Sequence, residues 1–267
     1  MRYLPAVVFG ILMCIQCSAF IDNGLQELKM QDSPSWIHYL MYCVKGAAPY
    51  EKGSKEQFII PIAWMCFMMW GLMSGLGYLY SSRQAVGMQV LIRSEKRAAW
   101  WLSKCIWNCL NCLIYFVALY VTILVYCMIA GINLSMEANP NYVLIVFAES
   151  SFRLKEQFET GLGIVVVTIM LLPIVCMCAI SIIQLFLELF FKPVICYLVS
   201  ITILIFSVWD MSPFALGNFS MLIRNSWVMQ GGLDTTMGII VCLGVVILIS
   251  IVGTYRFKHY DILSKEE

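Results

Sequence analysis

Residues 105–131 read CIWNCLNCLIYFVALYVTILVYCMIAG, an apolar run without a single charged side chain. A helix of about 20 apolar residues crosses the hydrocarbon core of a bilayer, so this run is long enough to span it. Five more apolar segments flank it: residues 3–21, 58–79, 162–190, 194–210 and 237–253. None alternates with the period of two that a membrane β-strand needs. The sequence therefore predicts an all-α, polytopic membrane protein with six transmembrane helices.

The composition excludes an ordinary soluble enzyme. Of the 267 residues, 61% are hydrophobic and 12% are charged, whereas soluble globular domains carry roughly 25% charged residues. The net charge is +1. A balance so close to zero creates no global basic field, and we therefore expect no nucleic-acid partner.

Three of the six segments have features that matter for the span count. Residues 162–190 are longer than an upright span and contain Pro173, so we expect tilt or a kink there. Residues 194–210 are short for a span. Residues 3–21 also have the outline of a secretory signal, and its cleavage would leave five spans.

The distribution of Lys and Arg predicts the orientation. With a cytoplasmic N-terminus, ten of the 17 basic residues fall in the inner connections, and residues 83–104 are the densest stretch. The remaining bases, Arg224 among them, fall in longer outer connections. The positive-inside rule therefore predicts a single transmembrane domain, residues 1–267, with both termini in the cytoplasm.

Motifs for catalysis are absent from the sequence. It contains no GxxxxGK[ST] phosphate loop, no HExxH and no GxSxG. Cys105, Cys109 and Cys112 share one face of a helix, but no histidine accompanies them, so we interpret them as packing residues. We expect no catalytic residue, no cofactor and no metal site in this chain.

Few polar side chains fall within the predicted spans. Asn108, Asn111 and Gln184 are candidate path-lining residues, and they can equally serve as hydrogen-bonding groups between helices. Glu188 and Asp210 lie at the ends of segments, where we expect no proton-carrying role. A transport path with this sequence has no energy source of its own.

Two further patterns predict packing. Gly71 and Gly75 give the second span a face of small residues, for close packing within the fold or with a partner subunit. Ser33-Pro34 before residues 36–44 predicts an N-cap and a short amphipathic helix on the membrane surface. Within that stretch, Cys43 is expected to be a thiol in an outside loop.

Four stretches of the chain carry a family resemblance. They are residues 89–104 (QVLIRSEKRAAWWLSK), residues 212–221 (SPFALGNFSM), the approach from Lys45 to Pro61, and residues 255–263 (YRFKHYDIL). In these stretches the chain resembles the permease subunits of ABC transporters, a superfamily that includes O-antigen, drug and peptide exporters.

This resemblance implies a six-helix subunit that pairs with a second permease, as a homodimer or a heterodimer. A separate cytoplasmic ATPase subunit would bind ATP and Mg²⁺ and dock on a coupling loop, residues 80–104, while residues 211–236 form an outer, re-entrant region. The implied ATPase contacts are Gln89, Arg93, Ser94, Glu95, Lys96, Arg97, Glu188 and Lys192. The implied location is the plasma membrane of a bacterium, in contact with lipid.

The function expected from the sequence is thus the transmembrane subunit of an ATP-driven exporter. Its apolar interior suits an amphipathic or hydrophobic substrate, such as a peptide, a drug or a lipid. The main alternative is an accessory or receptor-like membrane protein that transports nothing. An intramembrane enzyme and a secondary transporter are further alternatives.

Overall fold

The computed structural model describes residues 3–28, 34–50, 58, 60–79, 97–136, 139, 142, 146–147 and 166–258. Within these residues there is no β-strand, which confirms the all-α prediction for the described part of the chain. The α-helices there are α1 (Leu4–Leu28), α2 (Trp36–Val44), α3 (Ile62–Gly75), α4 (Arg97–Ile129), α5 (Leu172–Leu187), α6 (Pro193–Trp209) and α7 (Thr235–Lys258). A π-helical turn, Val167–Leu171, precedes α5, next to Pro173.

Four helical stretches in the described residues are long and apolar enough to cross a membrane. They are Leu4–Gly24, Ala98–Ile129, Val167–Leu187 and Thr235–Arg256. Helices α3 and α6 are also apolar, but they have 14 and 17 residues. Each of the six predicted segments therefore coincides with a helix, and four of the six reach the length of a span.

Helix α4 begins eight residues before the predicted third span. Residues 97–104, which we assigned to the coupling loop, form the first two turns of α4. The helix extends this far because Trp101 is fully buried and its indole N–H donates to the Ser250 carbonyl of α7 (3.1 Å). Residues 80–96, the rest of that loop, lie outside the described residues.

Hydrogen bonds between the helices define their directions. Tyr3, just before α1, donates to Asn111 in the middle of α4, and Asn111 donates to Ser74 near the end of α3. Trp101 and Ser250 join the start of α4 to the end of α7. The same end of the bundle holds the ends of α3 and α5 and the start of α6. We call it the basic end, after its described cations Lys104, Lys192 and Arg256. Both described termini therefore lie at this end.

The opposite end of the bundle is covered by residues 211–234, which we call the cap. The cap contains two 3₁₀ turns, Leu216–Ser220 and Leu222–Arg224, and every residue in them is buried. The indole N–H of Trp64, at the start of α3, donates to the Ser220 hydroxyl (3.1 Å), and the Ile223 N–H donates to the Lys45 carbonyl (3.1 Å). Residues 45–50 and the cap thus form one packed layer.

Helix α2 lies inside this layer, so the prediction of an amphipathic surface helix is wrong. All residues of α2 except Tyr42 are buried, because the sequence WIHYLMYCV is apolar around the whole helix. The His38 Nε2 accepts the Asn139 N–H (3.2 Å), and its Nδ1 lies 2.9 Å from the Ser35 hydroxyl. Burial lowers the pKa of His38 to about 4, so the imidazole is neutral.

Cys43 belongs to this buried helix rather than to an outside loop. Its side chain is 3% exposed, and burial raises the pKa of its thiol well above the usual value. A thiol that is both covered and protonated reacts slowly with maleimides. Cys43 is therefore unsuited to report which side of the membrane this loop faces.

The glycines of α3 pack within the fold. A side-chain carbon at Gly71 would collide with Met177 of α5, and one at Gly75 would lie 3.0 Å from the Asn108 Oδ1 of α4. The small face of α3 therefore accommodates α4 and α5 of the same chain.

A single guanidinium ties the cap to the rest of the bundle. Arg224 is fully buried and donates to the main-chain carbonyls of Ala47 (2.9 Å), Ala48 (3.2 Å) and Val208 (2.8 Å). It also donates to the Ser207 carbonyl and to the Asn218 Oδ1. Burial lowers the pKa of Arg224 to about 10, which leaves it protonated at neutral pH. The sequence had placed this residue among the ordinary bases of an outer loop.

We predict that Arg224→Ala destabilises the protein by about 3–5 kcal/mol, because five oxygen acceptors in buried and partly buried hydrogen bonds lose their donor. Thermal unfolding in detergent measures the loss. Arg224→Lys should restore part of the stability, since an ammonium keeps the charge but has fewer donors. The matched control is Arg256→Ala, which removes an exposed arginine and should change the stability by about 0.5 kcal/mol or less. Equal melting temperatures for Arg224→Ala and Arg256→Ala would contradict this account of the cap.

Candidate functional site

The Glu188 carboxylate fixes the main chain where α3 ends. Glu188 follows the last residue of α5 and is 2% exposed. Its Oε1 accepts the Gly77 N–H (2.9 Å), and its Oε2 accepts the Leu79 N–H (3.3 Å). Gly77 adopts a φ of 70°, a left-handed conformation that a glycine reaches without strain and that turns the chain after α3. The carboxylate therefore holds the residues that lead directly into residues 80–96.

Aromatic and cationic side chains join the two ends of that segment. The Tyr78 ring stacks on Trp107 of α4, with the ring centroids 3.6 Å apart and an interplanar angle of 15°. The Lys104 ammonium donates to the Tyr78 hydroxyl (3.1 Å) and lies 5.1 Å from the centre of the Trp100 ring. The end of α3 and the first turns of α4 are thus neighbours, and residues 80–96 connect them.

The start of α4 is in turn packed against α7. Gly253 has no room for a side chain, because the Trp101 indole lies against its Cα. Trp100, Trp101 and Cys105 form a small buried cluster with Leu79 and the end of α5. The described chain on either side of residues 80–96 is therefore bonded to Glu188 at the end of α5 and, through Trp101, to α7.

The polar residues predicted within the spans form hydrogen bonds to neighbouring helices. The Asn108 amide donates to the Ser181 hydroxyl (2.8 Å), and the Asn111 amide donates to the Ser74 hydroxyl (2.6 Å). Asn111 also accepts the Tyr3 hydroxyl (2.8 Å). These bonds join α4 to α5, to α3 and to the chain just before α1.

Gln184 extends this network to α6. Its amide oxygen accepts the Ser200 hydroxyl (3.0 Å), and its amide nitrogen donates to the Leu72 carbonyl of α3 (3.4 Å). Asn108, Asn111 and Gln184 are each 2% exposed. In this conformation all three connect helices, the second of the two roles that the sequence allowed.

The structure separates the predicted ATPase contacts. Glu188 is buried and turned toward the end of α3, whereas Lys192, in the link between α5 and α6, is exposed. Arg97 is the first residue of α4. The other predicted contacts, Gln89, Arg93, Ser94, Glu95 and Lys96, lie outside the described residues. No group of His, Cys, Asp and Glu within the described ranges has the arrangement of a metal site.

Sequence reasoning missed the partners of these residues. Ser74, Ser181 and Ser200 are small hydroxyl side chains inside apolar runs, where serine is common and carries no motif. Tyr3 lies at the edge of the first segment. A weak signal exists in the spacing, because Ser181, Gln184 and Glu188 follow one another at intervals of three and four residues on one face of α5.

We predict that Glu188→Gln loosens the end of α3. A glutamine keeps the volume, but it replaces one charged acceptor by an amide N–H₂ that faces a main-chain donor, which costs about 1–3 kcal/mol. Hydrogen exchange of peptides that cover residues 76–79 should accelerate. Asp22→Asn, which removes an exposed acid at the opposite end, should leave that exchange unchanged. Unaltered protection of the Gly77 and Leu79 amides in Glu188→Gln would show that the carboxylate does not hold them.

No protein-family model, no curated protein and no solved structure matches this chain. The role of the site is therefore inferred from its geometry. That geometry consists of the buried Glu188 carboxylate, the stacked Tyr78 and Trp107 rings beside Lys104, and a buried network of hydrogen bonds. The network joins α3, α4, α5, α6 and the chain just before α1.

Proposed function

We propose that this chain is the transmembrane subunit of an ATP-driven exporter, with a separate ATPase bound at the basic end. The observation that carries the proposal is the attachment of Glu188 to Gly77 and Leu79. Residues 80–96 connect α3 and α4, and the start of this connection is held by a buried charge on a third helix. In this proposal, a force that the ATPase applies to residues 80–96 is transmitted to α3 and α5.

The charge distribution supports a cytoplasmic basic end. Its described side-chain charges are the three bases Lys104, Lys192 and Arg256 and the buried acid Glu188. At the cap end the described acids are Asp22, Asp210 and Asp234, and the described bases are Lys45 and the buried Arg224. The positive-inside rule then favours cytoplasmic termini, a six-helix topology and a cap on the outer side. In this proposal the short helices α3 and α6 complete the set of spans.

The uncharged polar side chains inside the bundle support the proposal that the energy for transport comes from a separate subunit. The polar side chains at depth, Asn108, Asn111 and Gln184, are amides, which neither carry a proton nor hold a charge at physiological pH. They are already hydrogen-bonded to neighbouring helices. Energy for transport is therefore assigned to ATP hydrolysis in the partner, and the apolar walls suit an amphipathic or hydrophobic substrate such as a peptide, a drug or a lipid. A second permease chain completes the path.

The orientation can be tested with introduced cysteines. Gln230→Cys places a thiol on the exposed surface of the cap, and Lys192→Cys places one at the basic end. A membrane-impermeant maleimide applied to intact cells should label Gln230→Cys, and Lys192→Cys only after permeabilisation. The unaltered protein gives the background, in which Cys66 is the exposed native thiol of the described residues. The opposite labelling pattern would invert the proposed topology.

Coupling can be tested by reversing charges in the connection. The chain alone should hydrolyse no ATP, and hydrolysis should appear when it is assembled with an ATPase subunit encoded beside it. Arg93→Glu combined with Glu95→Arg should weaken or uncouple this complex, because like charges then meet across the interface. Asp22→Lys, a charge reversal at the cap end, is the control. Unchanged ATPase binding and unchanged ATP-dependent transport in the double reversal would refute the coupling role.

Two further outcomes select the alternatives. Transport in sealed vesicles that requires a pH gradient and is lost in Glu188→Gln would identify a secondary transporter. If neither ATP nor a gradient drives any transport, and no ATPase assembles with the chain, an accessory or receptor-like role is correct.

A further inference from the structure

Cationic and aromatic side chains form an exposed patch at the basic end, between α5 and α7. The patch consists of Phe190, Phe191 and Lys192, which follow α5, and of Arg256 near the end of α7. The Arg256 guanidinium lies 5.7 Å from the centre of the Phe190 ring, and the Phe190 and Phe191 rings are 6.5 Å apart. The exposed fractions of Phe190 and Phe191 are 44% and 51%. We call these four residues the α5–α7 patch.

The patch continues the apolar outer face of two helices. Val194, Ile195 and Leu198 of α6 are exposed directly after Lys192, and Ile251 and Val252 of α7 are exposed one turn before Arg256. Exposed aliphatic side chains on membrane-spanning helices face lipid tails. The two cations therefore stand where the lipid-facing surface ends, at the level of the headgroups.

The acid nearest in sequence does not neutralise this patch. Glu188 precedes Phe190 by two residues, but its carboxylate is buried and accepts the N–H groups of Gly77 and Leu79. Among the side chains that the structure describes, Lys192 and Arg256 thus form a surface of two positive charges beside two exposed aromatic rings. Such a surface is complementary to a phosphate that is attached to a hydrocarbon chain.

We propose that the α5–α7 patch binds the headgroup of an anionic phospholipid. Lys192 and Arg256 contact its phosphate groups, Phe190 and Phe191 lie at the boundary of the acyl chains, and the acyl chains run along α6 and α7. A soluble protein partner is the less suitable occupant, because the exposed phenylalanines continue into the bilayer-facing surface. This inference is independent of the proposed exporter function, since it needs neither an ATPase nor a substrate.

Lipid binding can be measured on the purified full chain in a neutral detergent. Phosphatidylglycerol and phosphatidylcholine with identical acyl chains are added, and the bound lipid is counted by native mass spectrometry while the melting temperature is recorded. Phosphatidylglycerol should bind and raise the melting temperature, and phosphatidylcholine should do so much less. Lys192→Gln combined with Arg256→Gln should weaken phosphatidylglycerol binding roughly 25-fold, about fivefold for each charge near an anionic lipid surface.

The matched control is Lys45→Gln, which removes a cation at the opposite end. Lys45 also lies over an aromatic ring, 5.3 Å from the centre of Phe20, so the control removes a comparable contact. Its phosphatidylglycerol binding should equal that of the unaltered chain. Equal binding of the two lipids, or undiminished phosphatidylglycerol binding in the double variant, would overturn the proposal.

Two further measurements distinguish the lipid from other ligands of the patch. Glycerol phosphate without acyl chains should neither bind nor stabilise the chain, and stabilisation by it equal to that by phosphatidylglycerol would mean that the patch binds a free anion instead. If the double variant keeps its lipid but loses a bound ATPase subunit, the patch is a protein interface and the lipid proposal fails.

Discussion

A polar group that is buried in a membrane-spanning protein must find its partner inside the protein, because the hydrocarbon offers none. Among the described residues, Arg224 and Glu188 are the buried side chains that carry a full charge, and they lie at opposite ends of the bundle. They do not pair with each other. Arg224 binds main-chain carbonyls, and Glu188 binds main-chain N–H groups. Each charge is thus satisfied by backbone that lies outside regular helix or at a helix end.

These two charges together determine the position of α6, a helix of 17 residues. At one end its last carbonyls, those of Ser207 and Val208, accept from Arg224. At the other end it begins at Pro193, five positions after Glu188 in the chain. Between them, Ser200 donates to Gln184 of α5. A short apolar helix gains little from propensity alone, so tertiary bonds of this kind have to fix it.

The sequence predicted the helices well and their partners poorly. Hydropathy located all six apolar segments, since a lipid-facing or buried helix needs apolar side chains at every position whatever its neighbours are. It missed the burial of α2 and the role of Arg224, because both depend on contacts with residues far along the chain. The Arg224 guanidinium binds Ala47, 177 positions away, and Glu188 binds Gly77, 111 positions away. The start of α4 at Arg97 likewise depends on Trp101 packing against α7.

The hydrogen bonds of Arg224 at the cap involve a charged group, whereas those between the helices toward the basic end are neutral. The free energy needed to break them therefore differs. Opening the cap would strip the Arg224 guanidinium of the four carbonyl acceptors that lie outside the cap, and hydrogen bonds to charged groups contribute about 1.5–3 kcal/mol each. The network around Asn108, Asn111 and Gln184 consists of neutral bonds that contribute about 0.5–1.5 kcal/mol each. Hydroxyls and amides can also exchange partners as helices slide. In an exporter of the proposed kind, rearrangement therefore starts among these neutral bonds toward the basic end, and the cap opens only after α6 has moved the Ser207 and Val208 carbonyls that hold Arg224.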